Sequence, residues 1–244
     1  MAALAMALFC TGTTALAEPA AEKDNDAATD LVIEMYRSGK QKVMWGVGIH
    51  AEPKAGQFWT LKTTTKVAGT NTESEERWSV VKVEGSRALV EYFSSTHKLC
   101  LAYWLDTSVK TEDIFKTGNV KRAWIGKKGG EPVECQIKPV PKGAPKSAKS
   151  DDKDTVVEDF KDLELAGTKW SGKKSTRSSK SGDTIVWIAD SGWFGQPLKT
   201  ESKMFGAEVK TELSACGTDG EAWLKWDGIK VEDAATGKPA EEGK

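Results

Sequence analysis

The stretch IVWIADSGWFGQPLKTESKMFGAEVKTELSACG, residues 185–217, decides how the chain is read. Its last third alternates cleanly. Ala207, Val209, Thr211, Leu213 and Ala215 fall on one side, and Glu208, Lys210, Glu212 and Ser214 on the other. A period of two places one face on a core and one in water, which is the signature of a half-buried antiparallel strand. The segments 185–189 and 198–204 read as two further strands. Between them, Gly192, Gly195 and Pro197 mark a turn that carries Trp193 and Phe194. An aromatic pair on a turn is harder to bury than one on a strand, so these two residues are candidates for ligand contact.

The same reading extends outward. QFWTLKTTTKV (57–67) places Trp59, Leu61, Thr63, Thr65 and Val67 on one face. RWSVVKVEGSRALVEYF (77–93) reads as strand, turn at Glu84-Gly85-Ser86, strand; LCLAYWL (99–105) reads as a buried strand; and 123–137 reads as a hairpin with a Gly-rich turn. EAWLKWDGIKV (221–231) is expected to supply a last strand. Helices are few: one over 26–39, with Asp26 as cap and Gly39 as stop, and a second over 107–118, ending at Gly118. The expected fold is mainly β: a curved antiparallel sheet or half-open barrel with one or two short helices.

The opening MAALAMALFCTGTTALAEPA is a short apolar run followed by small residues, with Ala15-Leu16-Ala17 in the A-x-A pattern of a signal-peptidase site. Cleavage after Ala17 and export to the periplasm or beyond are expected. No later segment is apolar enough for a spanning helix, which needs about 20 residues. The stretch 138–155 is rich in Pro, Lys and Ser and reads as a linker between two parts of one β domain, 18–137 and 156–231. The tail 232–244 is expected to be mobile and disordered.

Net charge is −1, with 35 basic and 36 acidic residues. That balance gives no general attraction to nucleic acid or to an acidic membrane. The main basic cluster, SGKKSTRSSKSGD (171–183), reads as an exposed edge strand. Cys100, Cys135 and Cys216 remain after cleavage, and in an oxidising compartment one pair, such as Cys100–Cys135, is expected to join.

The chemistry of catalysis is hard to find. The two His, His50 and His97, lack companions at metal-ligand spacing, so no metal or other cofactor is expected. No G-x-S-x-G elbow occurs, and the acidic run Glu73, Glu75, Glu76 reads as a solvated hairpin tip. An enzyme is therefore not expected. The ten Trp are the anomaly. Trp59, Trp78 and Trp187 sit on strands and join Trp193 and Phe194 as candidate ligand-binding residues.

The order VWIAD…G…PLKTES…GAEVKTEL in residues 185–216 resembles a segment of the LolA-like exported lipoprotein carriers. That resemblance implies a curved, half-open antiparallel sheet closed by helices, with lipid chains held in an apolar concavity. The leading expectation is a non-catalytic exported protein that holds a lipid or other apolar ligand on a Trp-lined concave face. Two alternatives stand beside it. One is a structural protein of the envelope, meeting a protein partner, with every Trp in the core. The other is a carbohydrate binder that stacks sugars on exposed Trp.

Overall fold

The computed structural model describes residues 20–50, 52–141, 155–180, 182–190 and 197–231. The expected signal peptide, the tail 232–244, most of the expected linker, and Trp193 and Phe194 lie outside the described residues.

Among the described residues, eleven strands form one antiparallel sheet: β1 (Phe58–Val67), β2 (Thr70–Glu84), β3 (Arg87–Ser94), β4 (Leu99–Asp106), β5 (Val120–Lys127), β6 (Val133–Cys135), β7 (Thr155–Leu165), β8 (Thr168–Ser179), β9 (Gly182–Ala189), β10 (Lys199–Met204) and β11 (Ala207–Gly217). Their spatial order is β6-β5-β4-β3-β2-β1-β11-β10-β9-β8-β7. The two parts of the chain are thus two meanders joined by one seam, β1 against β11, with Trp59 opposite Cys216 and Leu61 opposite Leu213. A register shift between Thr60 and Leu61 bends that seam. The sheet is open, yet β7 touches β11 although three strands separate them in the order. That contact requires strong curvature at this end.

Two helices of the described residues accompany the sheet. α1 spans Ala20–Arg37 and lays Val32, Ile33 and Tyr36 on the core, earlier in the chain than expected. Gly39 follows it at φ 73°, the left-handed position that glycine fills most readily. The second is far shorter than 107–118: a 3₁₀ turn at Thr111–Asp113 runs into α2 (Ile114–Thr117). Gly118 ends it at φ 77°, its N–H donating to the Ile114 carbonyl at 2.8 Å.

The faces of β3–β5 are covered on both sides. On one, Val80, Val90, Tyr103, Leu105 and Ile125 pack with Val43 and Val47 of an irregular segment. Asn119, 1% exposed, pins that segment by exchanging two hydrogen bonds with the Val47 backbone, at 2.9 and 2.8 Å. On the other face, Leu89, Trp104 and Trp124 pack under Leu224 and Val231.

That second cover corrects the sequence reading, because residues 221–231 form no strand. The reason is electrostatic. Glu91, 1% exposed, accepts hydrogen bonds from the Trp223 N–H (2.6 Å), the Leu224 N–H (3.1 Å) and the Trp226 indole Nε1 (2.8 Å). Donors that a strand would offer to a ladder go instead to one carboxylate. Burial raises the Glu91 pKa, and these three donors and the Arg77 charge oppose that rise. Gly126 lets the segment lie flat: a Cβ there would stand 2.7 Å from Leu224.

Two further expectations change. The basic stretch 171–183 is not at the edge, since β7 lies outside β8 and supplies Asp159 to Lys173 and Glu158 to Lys174. The Cys100–Cys135 bridge is not made, and all three described cysteines are free. Cys100 packs with Trp104 and Trp124, whereas Cys135 packs with Ala123 and Ile125. Ala123 and Trp124 are neighbours on β5, whose successive side chains point to opposite faces, so the sheet stands between the two thiols. Burial pushes the Cys135 thiol up to about 12 and raises that of Cys100 as well.

Candidate functional site

Strand register assembles an aromatic row. Trp59 faces Trp78 across β1 and β2, and Trp78 faces Tyr92 across β2 and β3. The two indoles lie 6.0 Å apart with an 11° interplanar angle. Trp78 also meets Tyr92 at 4.7 Å and Tyr103 at 6.4 Å. Facing side chains in such pairs are close enough for ring contact, so the row follows from register alone.

Trp59 is fully buried and forms a small core with Leu61, Leu198 and Leu213. Around that core gather the partly buried Phe160, Leu163, Trp170 and Trp187 of β7–β9. The indole N–H of Trp170 donates to the Leu165 carbonyl at 3.1 Å. Trp187 is bracketed by two ammonium groups, with Lys199 Nζ 4.7 Å and Lys174 Nζ 5.9 Å from its ring centroid. Those cations hold the ring through its quadrupole and keep one rim of the region polar.

Of the five aromatic residues expected at a site, Trp59, Trp78 and Trp187 therefore belong to one cluster, with Trp59 at its base and the other two partly open. Trp193 and Phe194 lie outside the described residues. Phe160, Leu163 and Trp170 were missed. Their signal was present in DFKDLELAGTKW (159–170), where apolar residues interrupt a charged run, but only the curvature of the sheet reveals that β7 reaches β11 and that these side chains join the Trp59 core.

The apolar side chains of this end stay half-covered. Across β7–β10, Gly172 is the only buried position among the described residues. Two cavities lie elsewhere, one of about 370 Å³ beside Phe58 and Trp223 and one of about 180 Å³ beside His50 and Asp106. No group of three or more His, Cys, Asp or Glu able to hold a metal occurs among the described residues. No helix there is long and apolar enough to cross a membrane.

No protein-family model matches the chain. No curated protein matches it either. Solved structures do. A LolA superfamily protein from Nitrosomonas europaea aligns over 81% of this chain and 98% of its own, with 7% identity and a TM-score of 0.26. MucB aligns over 85% of this chain and 63% of its own, with 12% identity and a TM-score of 0.37. A DUF1329 family protein from Desulfovibrio piger aligns over 84% and 97%, with 9% identity and a TM-score of 0.31. A LolA superfamily member is thus among the structural neighbours. The TM-scores are low, and the likeness carries nothing about a ligand.

Proposed function

We propose that this is a non-catalytic binding protein, working outside the cytoplasm, that takes a lipid or other apolar group against the curved, Trp-bearing end of its sheet. One observation supports the reading. The apolar side chains of β7–β9 converge on the core around Trp59 yet remain partly open to water. Apolar area that is gathered but not sealed gains free energy from any apolar ligand that covers it, at roughly 25 cal/mol per Å². Trp78 and Trp187 supply the ring contacts, and Trp193 and Phe194 belong to the same proposal. Lys174 and Lys199 set a polar rim suited to a ligand with one polar end.

The second reading is a structural or interaction protein of the envelope. It draws support from Trp59, Trp104 and Trp124, which are at most 2% exposed and serve only the core. Native mass spectrometry of detergent-free protein, with titration by a fluorescent fatty acid, separates the two. The binding reading expects lipid mass released on denaturation, or saturable uptake that Trp187→Ala weakens about tenfold. Bare polypeptide mass together with no saturable uptake overturns it and leaves the structural reading.

A further inference from the structure

The larger cavity lies on the opposite face of the sheet from the Trp59–Trp78 stack. Phe58 and Arg77 line it, and each precedes one of those Trp on its strand, so each points the other way. The remaining wall comes from Lys128, on the turn after β5, and from Asp219, Glu221 and Trp223 of the C-terminal segment. That wall is built in. Trp223 accepts a hydrogen bond from the Gly129 N–H at 2.6 Å and donates its own N–H to Glu91.

The charges in this cavity are unusual. Two cations and two carboxylates line about 370 Å³ of space, yet among the described residues no ion pair or side-chain hydrogen bond joins these four to one another; Arg77 does feel the buried Glu91 carboxylate electrostatically. The cations rest instead on rings. The Arg77 guanidinium stands 4.3 Å from the Phe58 centroid and 5.5 Å from that of Trp223, and Lys128 Nζ stands 4.4 Å from that of Trp223. Arg77 Nε is buried without a hydrogen-bond partner. Cations cover faces of both rings, so a ligand meets charge here before it meets aromatic surface.

The geometry points to a binding site for a small zwitterion, an oxyanion carrying a primary ammonium. Its carboxylate or phosphate oxygens bond the Arg77 guanidinium, with Lys128 adding charge. Its ammonium bonds Asp219 and Glu221. A bare anion would meet both carboxylates, and a bare cation would meet Arg77 and Lys128, so the balanced lining selects a ligand with both signs. The size suits an amino acid or a phosphoethanolamine group. This site is independent of the apolar region on the other face.

Calorimetric titration of the whole chain with L-alanine, phosphoethanolamine, inorganic phosphate and ethanolamine tests it. Saturable binding of a zwitterion, at least about tenfold tighter than either single-charge probe and lost by about tenfold in both Arg77→Gln and Glu221→Gln, is the expected result. Lys128→Gln, at an exposed position, gives the same loss with no risk to the fold. Co-sedimentation with phosphatidylcholine vesicles, with and without phosphatidylethanolamine, separates a lipid head group from a free metabolite as the source. No zwitterion binding at millimolar concentration, inorganic phosphate binding equally well, or unaltered affinity in Lys128→Gln would each overturn the proposal.

Discussion

The two ends of the sheet are built to opposite standards. On β3, β4 and β5 most residues are buried, because α1 and the 40–50 segment cover one face and residues 218–231 cover the other. On β7–β10 the described residues provide no such cover, and Phe160, Trp170 and Trp187 stop at half-burial. The same strand-forming chemistry thus serves two ends. A sheet covered on both sides concentrates stability, whereas a curved sheet left uncovered offers surface. One end is sealed within its own core, and at the other the apolar side chains of the described residues stay partly open to water.

That contrast can be broken by experiment. Trp124→Ala, at the covered end, is expected to cost about 3–5 kcal/mol in urea unfolding. Trp187→Ala should cost roughly 1–2 kcal/mol, in proportion to the smaller area it removes from water. Equal costs would mean that the second end is as well packed as the first.

Glu91→Gln comes next. One amide oxygen replaces two carboxylate oxygens opposite three donors, and the loss is expected to be about 1–3 kcal/mol. Limited proteolysis should then cut within 218–231 sooner than elsewhere. Unchanged cutting there would show that the segment is held by its apolar contacts alone.

Asp106 supplies a pH test at the same end. Burial pushes its carboxyl up, but hydrogen bonds from Ser108 and the Arg87 guanidinium outweigh that and bring it from 3.8 to about 2. A depressed acid contributes stability that is full above its unfolded pKa and disappears as pH falls through the folded one. Stability should therefore drop between pH 3.8 and about 2, and Asp106→Asn should flatten that part of the profile. A wild-type profile with no drop there would remove Asp106 from the argument. The smallest effect is expected at Lys174→Ala, whose Glu158 partner is largely exposed. A change of about 0–1 kcal/mol is typical of such surface pairs, and a larger one would assign β7 a firmer hold on β8 than its exposure suggests.

Much of this was legible in advance wherever local pattern governs. The alternation at 207–216 and 57–67 identified β11 and β1, because a half-buried strand writes its two faces directly into sequence. Trp-Leu-Lys-Trp at 223–226 deceived for the same reason: the spacing suits a strand, but a carboxylate far earlier in the chain takes the donors. The cysteine pairing failed likewise, since sidedness on a sheet depends on register and not on oxidising chemistry. Of the candidate site, Trp78 and Trp187 could be named from sequence, while Phe160 and Trp170 needed the curvature. The cavity at Arg77 had no sequence signal at all, because its walls come from four separated stretches.

The seam between β1 and β11 also governs how the chain can be assembled. Every other pairing joins strands adjacent in sequence, so hairpins can form as the chain emerges. β1, in the middle of the finished sheet, must wait for the last strand with one edge bare, and a bare edge invites pairing with another chain. Long-range closure of this kind is slow and dominates folding time. A chain stalled or truncated before residue 207 would therefore keep its first meander and lose its partner, and self-association through β1 would be its characteristic fault.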